Sequence, residues 1–122
     1  MILGVGVDII RVSRFAHWVD NKKLANRFFI SEELEYIYSQ KEQAILSFAS
    51  HYAAKEAYGK ALGIGLRGMC LKDIAVIMKS GRPSLLLKGS AKTFFDEISA
   101  KHCHISLSHE NEMSVALVII EG

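Results

Sequence analysis

Two carboxylates and one ammonium stand where this chain has least reason to place charge. Asp8 lies inside the apolar run MILGVGVDIIRV, and Glu56 and Lys60 lie in HYAAKEAYGKALGIG, a stretch of small and aromatic residues. At about 100° per residue, a helix through that stretch puts Ile45, Ala49, Tyr52, Ala53, Glu56 and Lys60 on one stripe, with His51, Lys55 and Tyr58 on other faces. Glu56 and Lys60 are four residues apart and can pair with each other, which on an exposed face contributes only about 0.2–0.5 kcal/mol. On a packing face the same charges are costly unless they are paired or bind a metal. Ala49 and Ala53 beside them leave room for close approach. Asp8 shares its strand face with Gly4 and Gly6, which leave that surface bare for another element or a ligand. The alternative for Asp8 is a strand-end acid bonded to backbone. Magnesium is held by one or two carboxylates together with substrate phosphates, and lysine offers phosphate a point charge. The three residues therefore point to a magnesium-dependent site for a phosphorylated substrate.

The elements that must position them follow from the pattern. Residues 2–12 alternate as a strand, with Val5, Val7 and Ile9 opposite Gly4, Gly6 and Asp8. SRFAHWVD predicts a short helix capped by Ser13, and SEELEYIYSQ a second capped by Ser31 with acids in its first turn. A long helix is expected from about Glu42 to Leu62, stopped by Gly63 and Gly65. DIAVIMK and SLLLK read as strands around the turn SGRP, and a helix is expected between Ser90 and Ala100. HISLS and MSVALVIIE complete the set as two strands joined by the turn His109–Glu112. Helices and antiparallel strands segregated in this way predict an α+β fold rather than a doubly wound parallel sheet. Gly63-Ile-Gly-Leu-Arg-Gly68 matches the dinucleotide fingerprint literally, but a helix precedes it where the fingerprint needs a strand, so a Rossmann domain is rejected.

The totals narrow the class further. A chain of 122 residues, half hydrophobic and 23% charged, fits one globular domain spanning residues 1–122. No apolar run reaches the ~18 residues of a membrane span, and the N-terminal run has Asp8 at its centre and no basic leader. Cys70 and Cys103 are far apart, which predicts free thiols in a reducing cytoplasm. A net charge of +2 gives no argument for nucleic acid. The charge is uneven, however, since Arg11, Arg14, Lys22, Lys23 and Arg27 surround a single acid, Asp20, a pattern that suits an acidic partner. The core is modest for several strands and one long helix, so a partner subunit is expected to cover apolar strand faces.

Four segments in order carry a resemblance: GVGVDIIRVSRF, AAKEAYGKALGIG, GRP and HISLSHENEMSVALVIIE. Together they resemble the bacterial holo-acyl-carrier-protein synthases, the short class of the 4′-phosphopantetheinyl transferases, nearly from end to end. The most specific parts are the aspartate after the paired glycines and the KEA-x-x-KA-x-G helix. The resemblance implies an antiparallel sheet packed on one long helix plus short helices. It implies transfer of 4′-phosphopantetheine from coenzyme A to a serine of apo-acyl-carrier protein, releasing adenosine 3′,5′-bisphosphate, in the service of fatty acid biosynthesis. Asp8 and Glu56 match the family's magnesium ligands, and Lys60 matches the lysine that approaches the phosphates of coenzyme A. The base that takes the serine proton is left among Glu56, a metal-bound water and His109, the last suited by a pKa near neutrality.

The same resemblance implies further contacts. Gly81, Arg82 and Pro83 match the loop that meets adenine and ribose, while Ser106 and Ser108 alternate onto one strand face, toward the expected substrate side, where they could bond phosphate or simply edge the sheet. Arginine is common in the family just before the aromatic-AAKEA segment, where this chain has His51, and the basic residues that precede the long helix are thinned to Lys41. Those positions help to hold the adenosine 3′-phosphate. Arg14, Lys23 and Arg27 match or neighbour the surface shown to acyl-carrier protein, with Phe15 or Trp18 as apolar additions or as core. A homotrimer with sites between subunits is implied as well. Two readings of other classes compete: a magnesium-dependent nucleotide pyrophosphohydrolase, for which no glutamate-rich helix is present, and a non-catalytic module that binds acidic proteins. The second leaves Asp8, Glu56 and Lys60 without a purpose beyond packing.

Overall fold

The strand carrying Asp8 and the helix carrying Glu56 lie against each other at the centre of the molecule. In the computed structural model, which describes residues 1–122, β1 (Ile2–Arg11) is followed by α1 (Lys22–Phe28), α2 (Ser31–Ser39) and the long α3 (Ala44–Ala61). The hairpin β2 (Ile74–Lys79) and β3 (Arg82–Leu87), α4 (Gly89–Glu97), and the hairpin β4 (His102–His109) and β5 (Met113–Glu121) complete the chain. Two antiparallel sheets result, one in the order β1-β5-β4 and the other formed by β2 and β3. The α+β class and the single long helix are as expected.

Register decides which face of the larger sheet is core. Val118 of β5 lies opposite both Gly6 and Ile105, while Leu117 lies opposite Val7 and Ser106. The face that holds Gly6, Ile10, Ala116, Val118 and Ile120 is buried against α3. The other face leaves Val5, Val7 and Ile9 more than half exposed, at 56%, 55% and 62%. From Gly4 to Ile9 the alternation in β1 thus has the opposite sense from an ordinary half-buried strand, with the bulky residues outward, and only at Ile10 does a large side chain turn inward.

Glycine is required inward because the helix backbone comes too close for any side chain. A Cβ on Gly6 would lie 2.0 Å from the Ala57 carbonyl oxygen, and one on Gly4 would lie 1.9 Å from that of Ala61. Alanines Ala53, Ala57 and Ala61, all buried, give α3 the matching thin face. The helix is covered on its remaining sides too, by α2 and the β2–β3 hairpin, and Lys60 is its one exposed residue. Such all-round burial explains why it carries no simple amphipathic stripe.

Several boundaries differ from expectation. Ser13 caps nothing, and residues 12–15 form a single 3₁₀ turn because Phe15 plunges into the core beside Trp18, with ring centroids 5.0 Å apart. The helix of this region lies later, at α1, where the Asn21 side chain accepts the Leu24 N–H at 3.0 Å. Ser31 is the first residue of α2 rather than its cap, and Glu33 caps that helix by accepting the Ile30 N–H at 3.1 Å. The turn of the first hairpin shrinks to Ser80-Gly81, both with positive φ, so β3 begins at Arg82. Gly63, at φ 80°, ends α3 as expected, and turns rather than a helix follow the glycines.

Candidate active site

The step between β1 and α3 positions the charged residues. Two residues along β1, from Gly4 to Gly6, correspond to about one turn back along α3, from Ala61 to Ala57. One further step carries Asp8 toward Ala53, beside Tyr52 and Glu56 on the helix. Lys60 reaches back along the strand: its Nζ donates to Asp8 Oδ1 at 2.9 Å and to the Val7 carbonyl at 3.2 Å. It therefore serves Asp8 rather than its helical neighbour Glu56. Asp8 raises the Lys60 ammonium pKa above its usual range, chiefly through that hydrogen bond, and Glu56 adds to the shift. Burial lifts the Tyr52 phenol pKa, Glu56 and Asp8 push it further in the same direction, and Arg14 opposes them. The Arg14 guanidinium stands 5.8 Å from the Tyr52 ring centroid. Asp8, Glu56, Lys60, Tyr52 and Arg14 thus share one electrostatic neighbourhood.

Its donor set fits a hard divalent cation. The oxygens come from two carboxylates on different elements, and the Lys60 ammonium already meets Asp8 from the open side, with half of its side chain exposed. Asp8 and Glu56 would hold the ion, and the phosphates of a ligand would supply further oxygens.

A cleft of about 1150 Å³ opens along the same elements. Arg11, three residues beyond Asp8 on β1, lines it, as do Ser50 and His51, one and a half turns before Glu56 on α3. The hairpins contribute Met78, Gly81 and Pro83 on one side and His109 to Glu112 on the other. Of the residues singled out by sequence, His51, Gly81, Pro83 and His109 line this cleft. Lys41 and Arg82 are exposed beside lining residues without lining it themselves. Ser106 and Ser108 are exposed on the sheet face that carries Val7 and Ile9, opposite the face of Asp8. Arg14, Lys23 and Arg27 are all exposed, whereas Phe15 is core and Trp18 is half-buried among Phe28, Phe29 and Phe48.

Two features were not found by sequence reasoning. Lys55, set aside on the wheel, is the buried charge of α3. Its Nζ donates to Glu33 Oε1 and the Leu71 carbonyl, each at 2.9 Å, and to the Ile74 carbonyl, with both side chains of the ion pair wholly buried. Burial lowers the Lys55 pKa and raises that of Glu33, while their contact opposes both shifts. The acids that begin SEELEYIYSQ were the signal available, but an acid in a first helical turn is ordinarily exposed. The cleft residues Arg11, Ser50 and Met78 were also missed, because each is unremarkable alone and only the fold brings them together.

Comparison with known proteins establishes the family and the fold. Residues 4–118 match the model of the 4′-phosphopantetheinyl transferase superfamily. The chain is 53% identical over 123 residues to the holo-[acyl-carrier-protein] synthase of Treponema denticola, with both proteins covered in full. It is 46% identical to that of Trichlorobacter lovleyi over 126 residues, covering 100% of this chain and 99% of the relative. Among solved structures, the holo-[acyl-carrier-protein] synthase of Neisseria meningitidis superposes with a TM-score of 0.87 at 28% identity over the whole of both chains. That of Bacillus anthracis in complex with CoA (3′,5′-ADP) gives 0.81 at 31% identity, covering 99% of this chain and 97% of the other. From residue 4 to residue 118, with the aspartate strand lying on the KEA helix, this chain belongs to the holo-acyl-carrier-protein synthases of the 4′-phosphopantetheinyl transferase superfamily.

Proposed function

We propose that the Asp8–Glu56–Lys60 corner and the adjoining cleft are where this chain carries out its family's reaction, the transfer of 4′-phosphopantetheine from coenzyme A to a serine of apo-acyl-carrier protein. The observation that carries the reading is Lys60 Nζ on Asp8 Oδ1 at 2.9 Å, beside Glu56, at the one exposed residue of a helix whose others are buried or half-buried. The serine oxygen attacks the phosphorus on the pantetheine side of the pyrophosphate. A new P–O bond forms to serine, the bridging P–O bond breaks, and adenosine 3′,5′-bisphosphate leaves with the bond's electron pair. Asp8 and Glu56 would hold a magnesium ion, which when bound would neutralise charge at the pyrophosphate. Lys60, with half of its side chain exposed, offers its ammonium to the same phosphate oxygens. His109 at the end of β4 or the Glu56 carboxylate takes the serine proton.

The carrier protein docks on Arg14, Lys23 and Arg27, since complementary charge speeds encounter and fixes register. Arg14 is the link between that surface and the reaction, because it also lies over Tyr52. The exposed apolar face of β1, with Leu117 of β5, is covered by further copies of the chain in a homotrimer whose sites lie between subunits. Its setting is fatty acid biosynthesis in the cytoplasm; no helix is long and apolar enough to cross a membrane. The deciding experiment incubates apo-acyl-carrier protein with this chain, coenzyme A and magnesium and weighs the product. A gain of one phosphopantetheine on one serine is expected. Release of free phosphopantetheine with an unmodified carrier would make the chain a pyrophosphohydrolase, and no turnover would leave a binding module.

A further inference from the structure

A pair of hydroxyls joins the cleft to the sheet beneath it. Ser114 of β5 is wholly buried, opposite Ile10 on one side and His109 on the other, on the sheet face that carries Asp8. Two residues along β5, about 7 Å, separate it from Ala116, the register partner of Asp8. Ser50 of α3, six residues before Glu56, meets it with the two hydroxyl oxygens 2.8 Å apart. Ser50 is half-buried and lines the cleft together with Arg11 and His109. Burial fixes the direction of the bond. A hydroxyl has one proton to give and two lone pairs to receive. Ser50 is the one partner of the Ser114 hydroxyl, so a bond donated by Ser50 would leave a buried proton on Ser114 unpaired, at a cost. Ser114 therefore donates and Ser50 accepts.

The proton of Ser50 then has to go elsewhere. A helical hydroxyl often turns back to the carbonyl one turn earlier, as Thr93 does to Gly89 at 3.1 Å. Ser50 is instead held over β5, and its proton is left for whatever occupies the cleft. Accepting from Ser114 also polarises the Ser50 hydroxyl and makes it a better donor. We infer that Ser50, oriented by Ser114, donates a hydrogen bond to a phosphate oxygen of coenzyme A, between the Asp8–Glu56 corner and the start of α3. The inference rests on the reading that this cleft takes coenzyme A, and it adds a binding residue to that site. A phosphate oxygen only accepts, which suits a donor with one proton to give, and Arg11 on the cleft wall favours an anion there.

The test separates the contact to ligand from the contact within the fold. Coenzyme A is titrated calorimetrically, with magnesium, into wild type, Ser50→Ala, Ser114→Ala and the double variant, and each thermal midpoint is measured. Ser50→Ala is expected to weaken coenzyme A binding about tenfold, the loss of one hydrogen bond to a charged group. It should also lower the midpoint by about 3–8 °C, because the Ser114 hydroxyl is stranded. Ser114→Ala keeps the ligand-facing hydroxyl and should bind within about threefold of wild type. The double variant strands nothing, so it should regain the midpoint without regaining the affinity. Unchanged binding by Ser50→Ala overturns the inference, and so does a double variant that recovers affinity together with stability.

The same titrations with 3′-dephospho-coenzyme A assign the oxygen. A tenfold loss in Ser50→Ala that persists with this ligand places the bond at the pyrophosphate, and a loss that disappears places it at the 3′-phosphate. Weaker binding by Ser50→Ala in a chain that transfers nothing to apo-acyl-carrier protein would sink the transferase reading and leave this inference standing. Transfer by the wild type with unaffected binding by Ser50→Ala would do the reverse. A wild-type chain that binds neither ligand would overturn both.

Discussion

Helix α3 carries two lysines five residues apart, and each is paired with a carboxylate at 2.9 Å. Lys55 and Glu33 are wholly buried and every polar atom has protein partners: the ammonium meets three oxygens, and the carboxylate also accepts the Ile30 and Val76 N–H groups. Lys60 and Asp8 meet at the surface, where the carboxylate retains spare lone pairs and half the lysine side chain is in water. The first pair is closed and has nothing left to bind. It joins α2, α3 and the start of β2, so removing either partner strands a buried charge. The second leaves carboxylate lone pairs without a protein partner, which the proposed reaction would use. Equal distances therefore mark different roles, and the accounting of partners separates them.

The largest expected effect is at the open pair. Asp8→Ala or Glu56→Ala should lower kcat for transfer by about 10²–10³-fold or more, as when a group that neutralises transition-state charge is lost. Thermal midpoints should stay within a few degrees of wild type, since neither residue fills the core. Near-wild-type turnover in either variant would dissociate this corner from the chemistry.

Exchanging the lysines one at a time tests the contrast itself. Lys55→Met should cost about 3–5 kcal/mol in urea unfolding, the usual penalty for leaving a buried carboxylate alone. Adding Glu33→Leu should restore much of that loss, because an apolar pair can replace a closed ion pair. Lys60→Met should change stability by less than about 1 kcal/mol, as an exposed pair does, while lowering kcat about 10–100-fold. Lys60→Met that unfolds the protein, or Lys55→Met that is stable but inactive, would invert the comparison.

His51 extends the closed region and gives it a pH signature. The unfolded histidine takes up its proton near pH 6.5, whereas the folded one holds it off until about pH 4. Between those values the unfolded state binds more protons, so stability falls on acidification by about 1.4 kcal/mol per pH unit, up to roughly 3 kcal/mol in all. His51→Gln should flatten the slope in that window. The same slope in wild type and variant would assign the acid sensitivity to other groups.

How much of this was legible in the sequence depends on whether a residue's partner is announced locally. Asp8 and Glu56 stood out because charge interrupts apolar periodicity, and Gly4 and Gly6 announced a close approach that proved to be α3 itself. The strands of the two hairpins were read to within about two residues at each end, since turn residues bracket them. Lys55 was passed over because a wheel that assumes one buried stripe cannot describe a helix buried on nearly all sides. The short helix was misplaced because Ser13 is a good cap in isolation, whereas the pull of Phe15 and Trp18 into the core is a tertiary effect. Ser106 and Ser108 were assigned to one face correctly, but which face turns toward α3 depends on the register with β5.

The smallest expected effect lies where the open pair meets the outer surface. Arg14 is exposed, stands over the Tyr52 ring and belongs to the basic segment around α1. Reversing its charge should act on the acidic macromolecule more than on the small donor, whose cleft it does not line. Arg14→Glu is therefore expected to raise KM for acyl-carrier protein about five- to tenfold, consistent with the loss of one rim charge, with a much smaller change for coenzyme A. The difference between variant and wild type should shrink as salt rises from low ionic strength toward 0.5 M or so, because the Debye length falls below about 5 Å. If KM for coenzyme A rises instead, Arg14 belongs to the open pair's phosphate site rather than to the docking surface. The boundary between the two would then run through α1, with Lys23 and Arg27 left as the whole of the carrier-protein contact.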